Sequence, residues 1–170
     1  MKLQVSEIKA QQGKTFPFIC QVDPKDLGDM SAYPWSQHNL TIKGNVRYES
    51  QRYIVEGTVH TEGEYECSRC LSPFMYEQDI PFVEVYREFN SYDKLDESDE
   101  WPIDDDLIDM TEMIRELLIM NEPYQVVCKE DCKGLCPHCG ANLNEGSCQC
   151  ADVHIDPRFA ALRDWLKKEE

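Results

Sequence analysis

Apolar residues alternate with polar ones most strictly from Leu40 to Tyr48, where Leu40, Ile42, Val46 and Tyr48 share one face. A period of two is the pattern of a strand with one buried side. It resumes at Tyr53, Val55 and Val59, and the four residues "ESQR" between the two runs are short enough for a hairpin loop. A third strand is expected through "GEYEC" into Cys67, and a fourth and fifth within "FMYEQDIPFVEVYREF". Pro81 argues for an edge or a break there, because proline cannot donate to a ladder. "TFPFICQV" near the start is a further candidate. Residues 1–89 are therefore expected to form an antiparallel β domain that could curl into a barrel.

The pattern then changes. Residues 90–106, "NSYDKLDESDEWPIDDD", are acidic and aperiodic and read as an exposed connector. From Leu107 the period becomes helical, with Leu107, Met110, Ile114, Leu117 and Leu118 on one side and an aspartate run ahead of them to suit a helix N-terminus. Pro123 ends that helix, and residues 107–127 are assigned to it and its lead-in. Its apolar stripe reads as core. Residues 128–170, which open with six cysteines between 128 and 150, are expected to form a zinc ribbon-like module closed by a C-terminal helix, with Asp156 as cap, Pro157 at the first helical position, and Phe159, Leu162 and Leu166 on one face. The expected class is α+β.

Composition narrows the function. Of 170 residues, 33 are acidic and 17 basic, a formal charge of −16. The imbalance sits early: residues 1–127 hold 25 acidic against 11 basic residues, residues 128–170 only 8 against 6. Such a surface repels nucleic-acid phosphate over its first three quarters. The start lacks the apolar run of a signal peptide and no stretch is long enough to span a bilayer, so a cytoplasmic protein without a membrane partner is expected.

In that compartment the nine cysteines point away from disulfides. Cys20 stands alone and reads as a small buried hydrophobe. The other eight make two tetrahedral sets. Cys136, Cys139, Cys148 and Cys150 lie close in sequence, with Gly140 able to take the left-handed conformation of a tight ligand turn. Cys67, Cys70, Cys128 and Cys132 then form the other set. A rival partition joins Cys128 and Cys132 to Cys136 and Cys139, and Cys67 and Cys70 to Cys148 and Cys150; the first is preferred because Cys136 to Cys150 closes a compact ribbon. The histidines (His38, His60, His138, His154) are scattered, and His138 reads as a surface residue. No H-E-x-x-H, no deaminase His-x-Glu and no phosphate loop occurs, so the expected zinc ions are two and structural, and the chain is not expected to be an enzyme.

"CSRCL" at 67–71, the helix ending at Pro123, the run Cys128-x3-Cys132-x-Gly-Leu-Cys136-Pro-x-Cys139-Gly-x-Asn-Leu-Asn, the Cys148-x-Cys150 pair and "DPRFAAL" closely resemble the YceD family, the proteins named for large ribosomal RNA subunit accumulation. The likeness runs from about residue 38 to the C-terminus. It implies a bacterial or organellar role in synthesis, processing or stability of 23S rRNA, and no enzyme activity. It also carries Cys67, Cys70, Cys128 and Cys132 over as one metal cluster, since some members lack counterparts of Cys136, Cys139, Cys148 and Cys150. Charge then favours a basic large-subunit ribosomal protein or assembly intermediate as partner, with Asp104, Asp105 and Asp106 as contact residues. The alternatives are a zinc-stabilised RNA-binding protein and a thiol redox switch at Cys67 and Cys70.

Overall fold

The structure, a computed structural model, describes residues 1–88, 100–103 and 106–150. It divides into two compact units: Met1–Ser68 with Ser72–Cys128, and Arg69–Leu71 with the residues from Lys129 onward. Every strand and both α-helices found among the described residues, α1 (Ser6–Lys9) and α2 (Thr111–Met120), belong to the first unit.

Strands β2 (Thr15–Val22), β3 (Leu40–Glu49), β4 (Arg52–Glu66) and β5 (Pro73–Arg87) pair antiparallel in that order, and β6 (Trp101–Pro102) joins β5 in parallel. Among the described residues the order is linear, with β2 and β6 at its ends, so the sheet is open rather than closed into a barrel. The short strands β1 (Lys2–Gln4) and β7 (Leu107–Asp109) form a separate pair.

β4 unites two of the expected strands, because Tyr53 to Glu66 is one continuous run opposite β5. Its alternation is interrupted by Gly57 and Gly63, and the structure shows why no side chain is present there. A Cβ on Gly57 would stand 2.4 Å from the Lys43 carbonyl oxygen, and one on Gly63 would stand 2.7 Å from the Trp35 nitrogen. The gaps in the pattern mark close packing rather than turns. β5 likewise runs through Pro81, which pairs opposite Thr58, while β6 reaches only Tyr86 and Arg87 on the other side. Among the described residues no strand pairs with Pro81 on that side, an edge position that proline tolerates. The hairpin between β3 and β4 turns on Ser50 and Gln51, both at positive φ (52° and 64°), as the favoured two-residue turn requires.

The helix begins later than its periodicity suggests. Leu107–Asp109 is strand β7, and helix α2 spans Thr111–Met120. Asp109 Oδ1 accepts the Thr111 N–H at 3.0 Å and so satisfies a donor at the helix start. Residues 100–103 are also not a bare connector. Glu100 pairs with the Nε atoms of Arg52 (2.5 Å) and Arg87 (2.7 Å), and Trp101 Nε1 donates to Glu84 at 3.0 Å. The rest of that acidic segment, 90–99 with Asp104 and Asp105, lies outside the described residues, as does the expected C-terminal helix.

One hydrophobic cluster organises the first unit. Met113, Ile114 and Leu118 of α2 are buried in the same core as Leu40, Ile42, Val55, Val59, Ile80 and Phe82 of the sheet. Where α2 ends, Glu122 is clamped by Trp35 Nε1 (2.9 Å) and the Tyr65 hydroxyl (3.1 Å). This carboxylate also raises the Tyr65 pKa, after burial, which is the larger cause. The clamp fixes the start of the segment that leads to Cys128.

Candidate metal centres

Two of the cysteine pairs are held by the same turn. Cys67 N–H donates to the Ser72 carbonyl at 3.0 Å, and Cys136 N–H donates to the Ala141 carbonyl at 2.8 Å, five residues onward in each case. The residue after the second cysteine is left-handed in both, Leu71 at φ 58° and Gly140 at φ 72°. This geometry turns the chain back so that sulfurs separated by two intervening residues face one point. Gly140 suits that backbone; Leu71 adopts it at a cost of about 1–2 kcal/mol. The matching strain at Leu71 is visible only by aligning "CSRCL" on "CPHCG".

The remaining cysteines are placed by other contacts. In the second unit Leu135 N–H donates to the Arg69 carbonyl (3.1 Å), and the Arg69 guanidinium donates to the carbonyls of Glu130 (3.3 Å) and Cys132 (3.2 Å). Gly134, at φ 74°, lies so near that a Cβ there would be 3.0 Å from the Arg69 oxygen. In the first unit Ser68 N–H donates to Val126 O (2.8 Å) and Val126 N–H to Ser68 Oγ (3.2 Å), which brings the chain entering Cys128 alongside the first turn. Leu143 N–H reaches back to Gly134 O at 2.9 Å, and Leu135 bridges Asn142, closing the small ribbon around Cys136–Cys139.

The sulfurs gather in two sets, Cys67, Cys70, Cys128 and Cys132, and Cys136, Cys139, Cys148 and Cys150, with the atoms of each set within 4.8 Å of one another. A tetrahedral ion at about 2.3 Å from four sulfurs spaces them about 3.8 Å apart, so either set could hold one metal ion. No disulfide links any of the nine cysteines. None of the three described histidines falls within either set: His138 is exposed, His38 faces Glu62 at 3.5 Å and His60 faces Asp79 at 2.8 Å. His154 lies outside the described residues.

Hydrogen bonds to sulfur prepare both sets for thiolate charge. Cys67 Sγ accepts the Cys128 N–H and Cys132 Sγ accepts the Asn144 side-chain amide, each at 3.4 Å. Asn144 is fixed in turn by Asn142, and nothing in the spacing of the cysteines announces this role. The backbone N–H of Cys139, then that of His138, then the Cys148 thiol at 3.4 Å hold the Cys136 pKa down to about 6. Cys150 is pushed up to about 12, chiefly by its thiol hydrogen bond with Cys139. One member of the second set is thus ready to carry charge and another keeps its proton.

The sets differ in depth. Cys67, Cys70 and Cys132 are buried and Cys128 is half-buried; in the second set only Cys136 is buried, and Cys139 and Cys150 are exposed. Of the three aspartates expected to meet a partner, Asp106 is exposed and its carbonyl accepts the Val5 N–H at 3.0 Å, while Asp104 and Asp105 lie outside the described residues.

The family model described as large ribosomal RNA subunit accumulation protein YceD matches residues 55–166, a span that includes both cysteine sets. The chain belongs to the YceD family. Uncharacterized proteins of Mycobacterium tuberculosis and Mycobacterium bovis are 34% identical to it over 134 residues, 76% of this chain and 63% of theirs. The chain thus spans somewhat under two thirds of the length of these mycobacterial relatives. The Bacillus subtilis protein YlbN is 26% identical over the whole of this chain and 99% of its own. A chloroplast protein of Arabidopsis thaliana named large ribosomal RNA subunit accumulation protein YCED homolog 1 is 33% identical over 66 residues, 37% of this chain and 21% of its own. No solved structure matches the chain significantly. Among the described residues no helix is long and apolar enough to cross a membrane.

Proposed function

We propose that this YceD-family chain is a non-catalytic, cytoplasmic factor that supports 23S rRNA synthesis, processing or stability and assembly of the large ribosomal subunit. The observation that carries the reading is the family match over both cysteine sets. Each set holds one structural zinc ion, because four sulfurs, joined by no imidazole or carboxylate among the described residues, are the donor set of a closed tetrahedral site. When bound, zinc supplies cross-links between chain segments and no chemistry at substrate.

Charge points to the partner. Residues 84–122 hold 14 acidic residues against Arg87, Lys94 and Arg115. A basic large-subunit ribosomal protein, free or within an assembly intermediate, complements that segment, whereas rRNA phosphate is repelled by it. Asp104, Asp105 and Asp106 are the proposed contacts. The thiol-switch alternative at Cys67 and Cys70 is disfavoured by the burial of both.

Loss of the protein should lower 23S rRNA relative to 16S rRNA. Replacing Asp104, Asp105 and Asp106 by Asn should weaken capture of the basic protein, most clearly at low salt, and leave zinc content unchanged. Tight gel-shift binding to bare 23S rRNA that ignores those substitutions, with no basic protein recovered, would make the chain an RNA binder and sink the partner reading.

A further inference from the structure

The two cysteine sets share their ligand chemistry and differ in reach. A small oxidant meets Cys139 and Cys150 at the surface, but Cys67, Cys70 and Cys132 only through the protein. The sulfurs of the exposed pair also lie within 4.8 Å of each other. The chain beside them has room to adjust: a Cβ on Gly140 or on Gly146 would meet nothing within 4 Å. Thiols that are exposed and adjacent are the ones oxidised reversibly, because the second traps the first before further oxidation.

We propose that Cys139 and Cys150 form a peroxide-oxidisable pair, a reversible modification site whose disulfide opens the second cysteine set while the first set stays intact. The inference rests on the zinc reading above for its metal readout and on the geometry of the pair for the rest. The Cys139 thiolate attacks a peroxide oxygen; the S–O bond forms as the O–O bond breaks, leaving a sulfenic acid and hydroxide. Cys150, once its thiol has given its proton to solvent, attacks that sulfur, the S–S bond forms, and a second hydroxide leaves. The two sulfurs give up two electrons, the peroxide takes them, and two protons from solvent make both hydroxides water. Cys136 and Cys148 remain as two ligands, too few to retain an ion tightly. A dithiol reductant reverses the step.

The test treats the full-length zinc-loaded protein with hydrogen peroxide and follows released zinc with a colorimetric chelator, while peptide mapping by mass spectrometry locates disulfides. Release of one ion of two, a Cys139–Cys150 disulfide, and recovery of the site on adding dithiothreitol and zinc are expected. In Cys150→Ser the sulfenic acid on Cys139 should persist long enough to be trapped by dimedone. A first disulfide at Cys67–Cys70, loss of both ions together, or oxidation straight to sulfonic acid without a disulfide would overturn the proposal. Failure of the zinc reading is seen separately, as fewer than two ions before peroxide is added, and the disulfide map still reads the pair in that case.

Discussion

Cys67–Leu71 and Cys136–Gly140 are the same turn in two settings. Each closes with an N–H to a carbonyl five residues on, and each places a left-handed residue after the second cysteine. Yet the first turn follows directly on the long strand β4 and its cysteines are buried, while the second is held by a ribbon with one isolated bridge and ends in exposed sulfurs. Ligand chemistry is therefore common to both, and burial distinguishes them. An ion bound by the buried set would tie packed chain segments together, whereas one bound by the exposed set would organise a peripheral loop and be open to reagents.

The strongest way to break this comparison is to remove one ligand from each set. Cys70→Ser and Cys148→Ser should each lose one of two zinc ions, but Cys70→Ser should cost several kcal/mol of stability, because it also leaves a hydroxyl in a buried position, and Cys148→Ser much less. Zinc analysis with thermal unfolding reads both. Equal destabilisation would mean that burial does not separate the sets. Combining Cys70→Ser with Cys132→Ser should lose no more metal than either alone; loss of both ions would favour the rival partition.

A smaller effect is expected from pH. In reduced, metal-free protein the depressed pKa of Cys136 means that its thiolate favours the folded state. That contribution is complete above the ordinary thiol pKa of 9.0 and is gone once pH falls through about 6. Ultraviolet thiolate absorbance should show a first step near pH 6 that disappears in Cys136→Ser. A wild-type titration with no thiolate appearing until about pH 8 would refute this ordering.

The smallest change exchanges the left-handed residues. Gly140→Leu should destabilise by about 1–2 kcal/mol, and Leu71→Gly should be neutral or stabilise by up to about 1 kcal/mol, both by chemical denaturation. Leu71 is 55% exposed, so removing its side chain forfeits little burial. A large loss on Leu71→Gly would show that this side chain makes contacts that the turn alone does not require.

Much of this protein was legible before any coordinates. The alternation of Leu40, Ile42, Val46 and Tyr48, and of Tyr53, Val55 and Val59, specified strands because a one-residue slip would expose every one of these core side chains. Eight paired cysteines pointed to two sets of four but left two partitions open; the sulfurs gather as Cys67, Cys70, Cys128 and Cys132, and as Cys136, Cys139, Cys148 and Cys150. Other features depended on contacts distant in sequence. Tyr53–Val59 and "GEYEC" read as separate strands, whereas they form one run in which the Lys43 carbonyl and the Pro34–Trp35 backbone fill the places beside Gly57 and Gly63. Leu107 read as helix until β1 paired with it, over a hundred residues away. The apolar period is local and survives in the sequence; backbone approach, strand partner and depth are properties of what packs against a residue. For the same reason the spacing of Cys139 and Cys150 could name them as candidate ligands but could not place them at the surface, apart from the buried Cys67 and Cys70.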